Sequence, residues 1–267
     1  DLDFKTKEAY KTLRTNVQFC GNDVKIISLT SCVPNEGKSM VSFNLAISMA
    51  ETGKKVLFID ADLRKSVLIG RYKINKAIKG LTQYLSGVEQ LDDVRYSTNV
   101  KNMDLILSGP VPPNPAELLN NEKFTELLET ARKEYDYVII DTPPMSQAAD
   151  AEELVDLADA SILVVRQHTA LVKDINETIS ILNSAEGTML GCVYNDVFHG
   201  VAQTARNYGY KYAYGSGYGY GSKYGYGNHG YGYGYGYGYG YGSRTKKGNE
   251  DKTQESKTER QVKKDHE

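Results

Sequence analysis

The sequence predicts an α/β fold, a three-layer sandwich in which helices cover both faces of a mostly parallel sheet. Short apolar runs alternate with segments of helical periodicity through the first 200 residues, which is typical of strands joined by right-handed helical crossovers. The runs are apolar almost without interruption, as expected for strands that are buried on both faces of a parallel sheet.

The elements can be predicted in chain order. A leading helix is expected at 5–19, where Tyr10, Leu13 and Val17 recur at helical spacing. Strands are predicted at 24–30, 55–60, 103–109, 137–142, 160–165 and 189–195. Helices are predicted at 39–52, 115–134, 151–158 and 172–186. Glycines directly follow the 39–52 and 172–186 segments, and glycine is a common helix stop.

Composition divides the chain into three parts. Residues 1–205 have the composition of a globular domain, 206–242 are mostly Gly and Tyr, and 243–267 are almost entirely polar or charged. Segments with so few side chains to bury cannot offset the entropy of ordering, so both tails are predicted to be disordered. The formal net charge of −2 gives no reason to expect a nucleic-acid partner.

Cysteine usage and hydropathy both predict a cytoplasmic protein. Cys20, Cys32 and Cys192 are odd in number and widely spaced, which favours free thiols in a reducing compartment. The sequence has no apolar run of about 18 residues, the length from which a membrane-spanning helix is suspected.

The segment "SCVPNEGKSM" at 31–40 predicts a phosphate-binding loop between a strand and a helix. It matches the P-loop pattern except that Cys32 stands where the first glycine is usual. Gly37 allows the backbone to approach a phosphate closely, and the following amides lie at a helix N-terminus. Lys38 is suited to the β- and γ-phosphates, and the Ser39 hydroxyl to Mg²⁺. The alternative is a chance strand–turn–helix junction.

Three aspartates end two other predicted strands. Asp60 and Asp62 end "VLFIDADLR" (56–64), and Asp141 ends the strand of "VIIDTPP" (138–144). The carboxyl ends of parallel strands line the ligand crevice of an open α/β sheet, and Mg²⁺ prefers oxygen ligands. The alternative is that each aspartate caps a turn or helix, which is less plausible for all three together.

The predicted site residues form overlapping groups. Those predicted to bind the nucleotide are Glu36, Gly37, Lys38, Ser39, Met40, Asp141 and Asn195. Those predicted to bind the metal are Ser39, Asp60 and Asp141, and those predicted to be catalytic are Lys38, Asp60 and Asp62.

These motifs together resemble the bacterial tyrosine kinases of capsule and exopolysaccharide systems over roughly residues 4–200. The likeness includes "IDAD" and "IIDTPP" as Walker A′ and Walker B motifs. It also includes "EAYKTLRTN" (8–16), "PNEGKS" (34–39), "GLTQYLSG" (80–87) and "SGPVPPNPAELL" (108–119). The resemblance implies a P-loop NTPase of the deviant Walker group, which also contains partitioning ATPases, and it implies ATP and Mg²⁺ as cofactors.

The resemblance further implies residue roles and partners. Lys38 would hold the phosphates, Ser39 the metal, Asp60 and Asp62 would serve the Walker A′ role, and Asp141 the Walker B role. It implies autophosphorylation on a C-terminal tyrosine cluster and a membrane-spanning polysaccharide co-polymerase that activates the kinase at the inner face of the membrane. Exogenous tyrosine substrates are further candidates.

The resemblance also implies a homo-oligomeric ring, for which an octamer is one candidate size. Family members form rings through a Glu-x₂-Arg-x₂-Arg motif in the leading helix, which here reads Glu8, Lys11 and Arg14. Lysine keeps the charge of the usual arginine but loses its planar bidentate geometry.

Partitioning and cell-division-site ATPases are the nearest competing class. They carry a second lysine in their "KGGxGK" loop, and Val33 occupies that position in the aligned "VPNEGK". The sequence therefore argues against that class. A non-kinase ATPase without that lysine, acting as an assembly switch with an adhesive Tyr-Gly tail, is the alternative function.

The Tyr-Gly segment is predicted to be the phosphoacceptor, and two carboxylates compete for the role of base. A tyrosine hydroxyl has a pKa of about 10, so a nearby base would help. Asp62 is the candidate, and Asp60 is the alternative.

Fourteen of the chain's 21 tyrosines lie in the Tyr-Gly segment, and a flexible tether raises the effective acceptor concentration to about the millimolar range. The predicted phosphoacceptors are Tyr208, Tyr210, Tyr212, Tyr214, Tyr218, Tyr220, Tyr224, Tyr226, Tyr231, Tyr233, Tyr235, Tyr237, Tyr239 and Tyr241.

Overall fold

A computed structural model describes residues 2–21, 23–71, 78–147 and 150–197. The helices are α1 (Phe4–Gln18), α2 (Lys38–Ala50), α3 (Val67–Arg71), α4 (Leu81–Leu85), α5 (Leu91–Val94), α6 (Pro115–Leu119), α7 (Glu122–Glu134), α8 (Asp150–Asp156) and α9 (Val172–Ser184). The strands are β1 (Ile26–Ser31), β2 (Val56–Asp60), β3 (Arg95–Ser97), β4 (Met103–Ile106), β5 (Tyr137–Asp141), β6 (Ala160–Arg166) and β7 (Thr188–Asn195). The predictions for 206–242 and 243–267 fall outside the described residues.

The described strands form one sheet in the order β3-β4-β2-β5-β1-β6-β7. Every neighbouring pair is parallel except β3 with β4, which is antiparallel. This arrangement confirms the predicted mostly parallel α/β fold. Because the parallel strands point the same way, the residues at their carboxyl ends meet along one edge of the sheet.

Side chains of the central strands alternate between two apolar cores. In β2, Leu57 and Ile59 pack on the face covered by α4, α7 and α8. Val56 and Phe58 pack on the opposite face, which α1 and α2 cover. This alternation follows from the two-residue period of a strand, and burial on both faces explains why the strands are apolar throughout.

The predicted single helix at 115–134 is divided into α6 and α7. The break falls at Asn120 and Asn121. The Asn121 side chain caps α7 by accepting a hydrogen bond from the backbone N–H of Lys123 at 3.2 Å. Asparagine favours such caps because its short side chain bonds to nearby backbone groups, so the pair starts a new helix.

Between β2 and β4, the residues that the structure describes form four short elements that the sequence patterns did not predict, α3, α4, α5 and β3. The predicted strand 103–109 also ends early, at Ile106. Beyond it, the carbonyls of Leu107 and Ser108 accept hydrogen bonds from the N–H groups of Leu81 and Thr82 at 2.7 and 3.0 Å. Tertiary pairing with the start of α4 therefore replaces the last part of the strand.

Candidate active site

The loop between β1 and α2 forms the predicted phosphate-binding turn. Gly37 adopts a left-handed conformation with φ 88° at the N-cap of α2. A Cβ atom at this position would collide with the side-chain amide of Asn195, so glycine is required both for its conformation and for space. The first N–H groups of α2 have no acceptor within the helix, which makes this end of α2 suitable for an anion.

The Glu36 side chain holds this loop from inside. Glu36 is 1% exposed, and its carboxylate accepts hydrogen bonds from the N–H groups of Val33 at 2.9 Å and Arg166 at 3.2 Å. The Asn195 amide donates to the Glu36 carbonyl at 2.9 Å. The sequence predicted Glu36 and Asn195 as nucleotide-binding residues, and the structure shows that both side chains also tie the loop to β6 and β7.

Lys38 lies at the centre of a buried charged cluster. Its Nζ is 3.2 Å from Asp62 Oδ2, 3.4 Å from Asp141 Oδ1 and 3.4 Å from the Ser39 hydroxyl. Asp60, Asp62 and Asp141 come from the carboxyl ends of β2 and β5, which are adjacent in the sheet. The structure thus brings together Lys38, Ser39 and the three aspartates that the motifs singled out.

The two Walker A′ candidates differ in access. Asp60 is 1% exposed, and its oxygens accept from the Ser66 hydroxyl at 2.5 Å and the Asp62 N–H at 3.3 Å. Asp62 is 6% exposed and lines an adjoining cavity of about 330 Å³ together with Lys38 and Ser39. A ligand in that cavity would therefore meet Asp62, whereas Asp60 lies behind it.

Burial and mutual repulsion alter the acidity of the cluster. Burial raises the pKa of Asp60 to about 7, and the Asp141 carboxylate adds to the rise. Burial also raises the pKa of Asp141, although Lys38 opposes the increase. Burial alone would lower the pKa of Lys38, but the nearby carboxylates of Asp141, Asp62 and Asp60 raise it instead. The cluster carries more negative than positive charge, which a cation would offset.

The donors at this edge fit Mg²⁺. Among the residues that the structure describes, no three His, Cys, Asp or Glu side chains converge closely enough to hold a metal by themselves. Mg²⁺ commonly takes one or two carboxylates and completes its shell with water and phosphate oxygens. Asp141 and the Ser39 hydroxyl meet that requirement, with Asp60 behind them.

A second cavity of about 590 Å³ adjoins the other side of the loop. Its walls include Tyr10 and Leu13 of α1, Met40 of α2, and Asn195. The Tyr10 hydroxyl lies 3.5 Å from the Met40 carbonyl. The predicted nucleotide-binding residues Met40 and Asn195 therefore lie in a cavity large enough for a nucleoside, and α1 supplies a wall that the motifs did not indicate.

Arg166, the last residue of β6, lies beside the phosphate-binding loop. Its guanidinium makes an ion pair with Asp196 at 2.6 Å and donates to the Asn35 carbonyl at 3.4 Å. The ionic partner of Arg166 is thus Asp196. No pattern predicted it, because Arg166 and Asp196 are brought together only by the pairing of β6 with β7.

The three predicted ring residues of α1 have different surroundings. Glu8 and Lys11 are exposed and paired with each other at 2.7 Å. Arg14 is partly buried, and it donates to the carbonyl and hydroxyl of Ser48 on α2 at 2.9 and 3.2 Å. Arg14 thus joins α1 to α2 within the domain, while Glu8 and Lys11 face outward.

The fold and this site define a nucleotide-binding protein of the P-loop class. Residues 24–188 match the family described as an AAA domain. The chain is 42% identical over 191 residues to the tyrosine-protein kinase CpsD of Streptococcus pneumoniae serotype 4, an alignment that covers 72% of this chain and 84% of that protein.

Solved structures of other proteins share the fold, and two of them illustrate its range. The kinase domain of the Escherichia coli tyrosine kinase ETK is 33% identical with a TM-score of 0.68, covering 82% of this chain and 81% of that one. The septum site-determining protein MinD from Pyrococcus horikoshii, complexed with Mg-ADP, is 25% identical with a TM-score of 0.55, covering 67% and 76%. The chain therefore belongs to the family of bacterial tyrosine-protein kinases. This confirms the resemblance drawn from the motifs.

None of the helices formed by the described residues combines the length and hydrophobicity needed to span a bilayer.

Proposed function

We propose that this protein is a tyrosine autokinase, which transfers phosphate from ATP to its own C-terminal tyrosines in trans within an oligomer. Through this reaction it would regulate the synthesis and export of capsular polysaccharide or exopolysaccharide. The observation that carries the proposal is the cluster of Lys38 with Asp62 and Asp141 beside the left-handed Gly37. The cluster places a phosphate-binding turn, candidate metal ligands and a candidate base next to one another.

The chain's own residues would bind and orient the phosphates. Gly37 and the first N–H groups of α2 face an anion, and the Lys38 ammonium, whose pKa is raised, stays charged to neutralise it. When bound, Mg²⁺ with ATP supplies the phosphoryl group and a divalent charge that balances the transferred oxygens. Ser39 and Asp141 would hold that ion. Positioning and charge neutralisation are the main requirements of phosphoryl transfer.

Asp62 is the better candidate for the base. It lines the 330 Å³ cavity beside Lys38 and Ser39, whereas Asp60 is closed off by Ser66 and by the backbone of Asp62. A general base must come within hydrogen-bond reach of the proton that it removes. We therefore assign proton removal from the tyrosine hydroxyl to Asp62 and the positioning of the Asp62 backbone to Asp60.

The tyrosines of 206–242 are the proposed acceptors. All fourteen follow a single domain in the same chain. Because the tether keeps their effective concentration high, the kinase does not need to recognise any one sequence tightly. Each added phosphate brings about −1.5 to −2 charges. Accumulated charge would favour release from an oligomer through self-repulsion, which gives a cycle of assembly and dissociation driven by phosphorylation.

The remaining partners are also proposals. A membrane-spanning co-polymerase would recruit the kinase to the inner face of the membrane and activate it. Glu8 and Lys11, exposed on α1, would supply the ring contact, and Arg14 would set the position of α1 through Ser48. An octamer remains one candidate size.

Intact-mass spectrometry tests the proposed function directly. After incubation with ATP and Mg²⁺, the full chain should gain mass in steps of one phosphate, and Lys38→Met should show none. Lys54→Met is the matched control, because Lys54 is a half-exposed lysine outside the cavity, and it should behave like the unmodified protein. ATP consumption with no mass gain would instead indicate the assembly-switch ATPase.

A further inference from the structure

A cavity at the amino edge of the sheet has no part in the functions described above. Its volume is about 640 Å³, within the usual range of ligand-binding cavities. Its walls come from the residue before β2, the turn between β3 and β4, and the end of α7. Since a strand rises about 3.3 Å per residue, Lys55 in this wall and Asp60 at the carboxyl edge lie about 16 Å apart along β2.

Positive charge predominates in the lining of this cavity. Its charged residues are Lys55, Arg95, Lys101 and Lys133, which are cationic, and Asp104 and Glu134, which are anionic. Four positive and two negative charges leave the lining with a net charge of +2. A concave site with this balance attracts anions.

Both anionic side chains of the lining already have donors. Asp104 accepts hydrogen bonds from the Tyr135 hydroxyl at 2.7 Å and the Ser97 hydroxyl at 3.1 Å. Burial and the Asp104 carboxylate raise the pKa of Tyr135, so its hydroxyl stays protonated and remains a donor. Glu134 pairs with Arg95 at 2.7 Å. Neither carboxylate therefore needs a lysine of the cavity as its partner.

The three lysines of the lining are uncompensated. Lys55, Lys101 and Lys133 are exposed, and none of them makes an ion pair with any residue that the structure describes. Asp92, which also pairs with Arg95, is 84% exposed and lies outside the lining. Three ammonium groups around one cavity suit an anion that has several oxygens, such as a phosphate group.

We propose that this cavity is a phosphotyrosine-binding site, which docks the 206–242 segment after its tyrosines have been phosphorylated. The phosphate lies among Lys55, Lys101 and Lys133, and the tyrosine ring lies against Val100, a partly buried apolar residue of the lining. The proposal rests on the proposed kinase function and adds a binding site for the product of that reaction.

The composition of the segment favours this occupant and makes its binding depend on phosphorylation. Residues 206–242 contain no Asp or Glu, but they include Arg206, Lys211 and Lys223, so the positive cavity does not attract the unmodified segment. Each phosphate adds about −1.5 to −2 charges and three acceptor oxygens. Nine of the fourteen tyrosines have glycine on both sides, and glycine adds no side chain that the cavity would have to accommodate.

Docking at the amino edge separates product from the reaction site. A phosphotyrosine that stayed at the carboxyl edge would compete with the nucleotide phosphates for Lys38. Held at the opposite edge, it leaves Lys38 and Asp62 accessible to the next unmodified tyrosine.

The test measures binding of a synthetic Gly-pTyr-Gly-pTyr-Gly peptide to the phosphatase-treated full chain by isothermal titration, without nucleotide. Combining Lys55→Ala, Lys101→Ala and Lys133→Ala should raise the Kd about tenfold or more, because each lost ammonium removes a charge-assisted contact with phosphate. The unphosphorylated peptide should not bind. A Gly-pSer-Gly-pSer-Gly peptide should bind more weakly than the phosphotyrosine peptide, because it has no ring to pack against Val100.

The matched control removes the same amount of charge elsewhere. Lys54, Lys79 and Lys173 lie outside the cavity and are paired with Asp136, Glu89 and Glu177. The variant that combines Lys54→Ala, Lys79→Ala and Lys173→Ala should bind the phosphotyrosine peptide like the unmodified protein. Equal weakening in the two triple variants would mean that net charge, and not this cavity, binds the peptide, and would overturn the proposal.

The remaining outcomes separate this site from the kinase function. The peptide is already phosphorylated, so its binding needs no transfer reaction, whereas the mass measurement described above tests the kinase alone. A protein that gains phosphate but binds the peptide equally well without the three lysines of the cavity has no docking site there. Equally tight binding of the phosphoserine peptide would contradict the assignment to phosphotyrosine. Loss of binding to phosphatidylserine vesicles in the cavity variant, with no peptide binding by the unmodified protein, would assign the lysines to a membrane surface instead.

Discussion

The two edges of the sheet shift the pKa values of their carboxylates in opposite directions. At the carboxyl edge, Asp60 and Asp141 are 1% exposed and the pKa of each is raised, mainly by burial. At the amino edge, burial alone would raise the pKa of Asp159, but hydrogen bonds from Arg132 and from the N–H groups of Ile26 and Lys25 lower it instead.

The geometry at the amino edge explains the difference. Asp159 accepts from the N–H groups of Lys25 and Ile26, both at 2.8 Å, and from two nitrogens of Arg132 at 3.0 and 2.6 Å. It joins β1, β6 and α7. Four donors surround this carboxylate, so its charged form is stabilised. At the carboxyl edge one ammonium, Lys38, faces three carboxylates.

The comparison shows that the carboxyl edge is arranged for chemistry at a cost in folding stability. Buried charge without enough partners is unfavourable, and such clusters concentrate at functional sites. At the amino edge of the same sheet, the Asp159 carboxylate instead joins β1 and β6 to α7. Substitutions at the two edges should therefore separate loss of activity from loss of stability.

The largest expected effect is on activity at the carboxyl edge. Asp62→Asn removes the proposed base, so autophosphorylation should fall by about 10²–10⁴-fold, while nucleotide binding and the free energy of unfolding remain nearly unchanged. Phosphotyrosine formation, nucleotide titration and urea unfolding measure the three quantities. Normal autophosphorylation in Asp62→Asn would show that Asp62 is not the base. If only Asp60→Asn lost autophosphorylation, Asp60 would be the base instead.

The amino edge should show the reverse pattern. Asp159→Ala leaves the N–H groups of Lys25 and Ile26 unpaired, so the free energy of unfolding should fall by about 2–4 kcal/mol, with nucleotide affinity of the folded protein retained. Asp92→Ala is the control, because that carboxylate is 84% exposed and surface ion pairs contribute at most about 1 kcal/mol. Equal losses in the two variants would contradict the role of Asp159.

The same aspartate also predicts a pH dependence. Because the pKa of Asp159 is lower in the folded protein than its unfolded value of about 4, its contribution is complete above that value. It is lost as the pH falls through the folded pKa. The difference in unfolding free energy between the unmodified protein and Asp159→Asn should therefore be constant near neutrality and shrink below pH of about 4. A difference that grows towards acid pH would overturn this sign.

Two glycines in the left-handed region give a smaller but closely matched comparison. Gly37→Ala combines backbone strain of about 1–2 kcal/mol with a collision against Asn195, so ATP affinity should fall by about tenfold or more. Gly53→Ala has nearly the same φ, 87°, with open space around the added methyl. It should lose stability only. Similar losses of ATP affinity in both variants would mean that backbone strain, and not the collision with Asn195 in the loop, lowers the affinity.

The smallest expected effect concerns the carboxylate inside the loop. Glutamine at position 36 has one acceptor oxygen, so Glu36→Gln leaves the N–H of either Val33 or Arg166 unpaired. ATP affinity should fall about threefold to tenfold, since Asn195 still holds the Glu36 carbonyl. The exposed Glu51→Gln should have no effect. Isothermal titration with both variants measures this, and an unchanged affinity for Glu36→Gln would show that the loop keeps its shape without the carboxylate.

Elements with strong local patterns were predictable. The runs that became β1, β2, β5, β6 and β7 were identified because strands buried on both faces are continuously apolar. Lys38, Ser39 and the three aspartates were singled out because phosphate and Mg²⁺ binding demand particular residues at strand ends, and their binding roles stay predictions. Strand β3 and the short helices before it were missed, since three to five residues carry too little periodicity to detect.

By itself, the sequence determined the fold class, the phosphate-binding turn and the acidic positions, because those follow from short-range patterns and fixed chemical requirements. Only the tertiary structure decided which aspartate lines the cavity and where Arg14, Glu36 and Arg166 find their partners. These depend on contacts between residues far apart in the chain, such as the pairing of β2 with β5 and of β6 with β7, and no local pattern records such contacts.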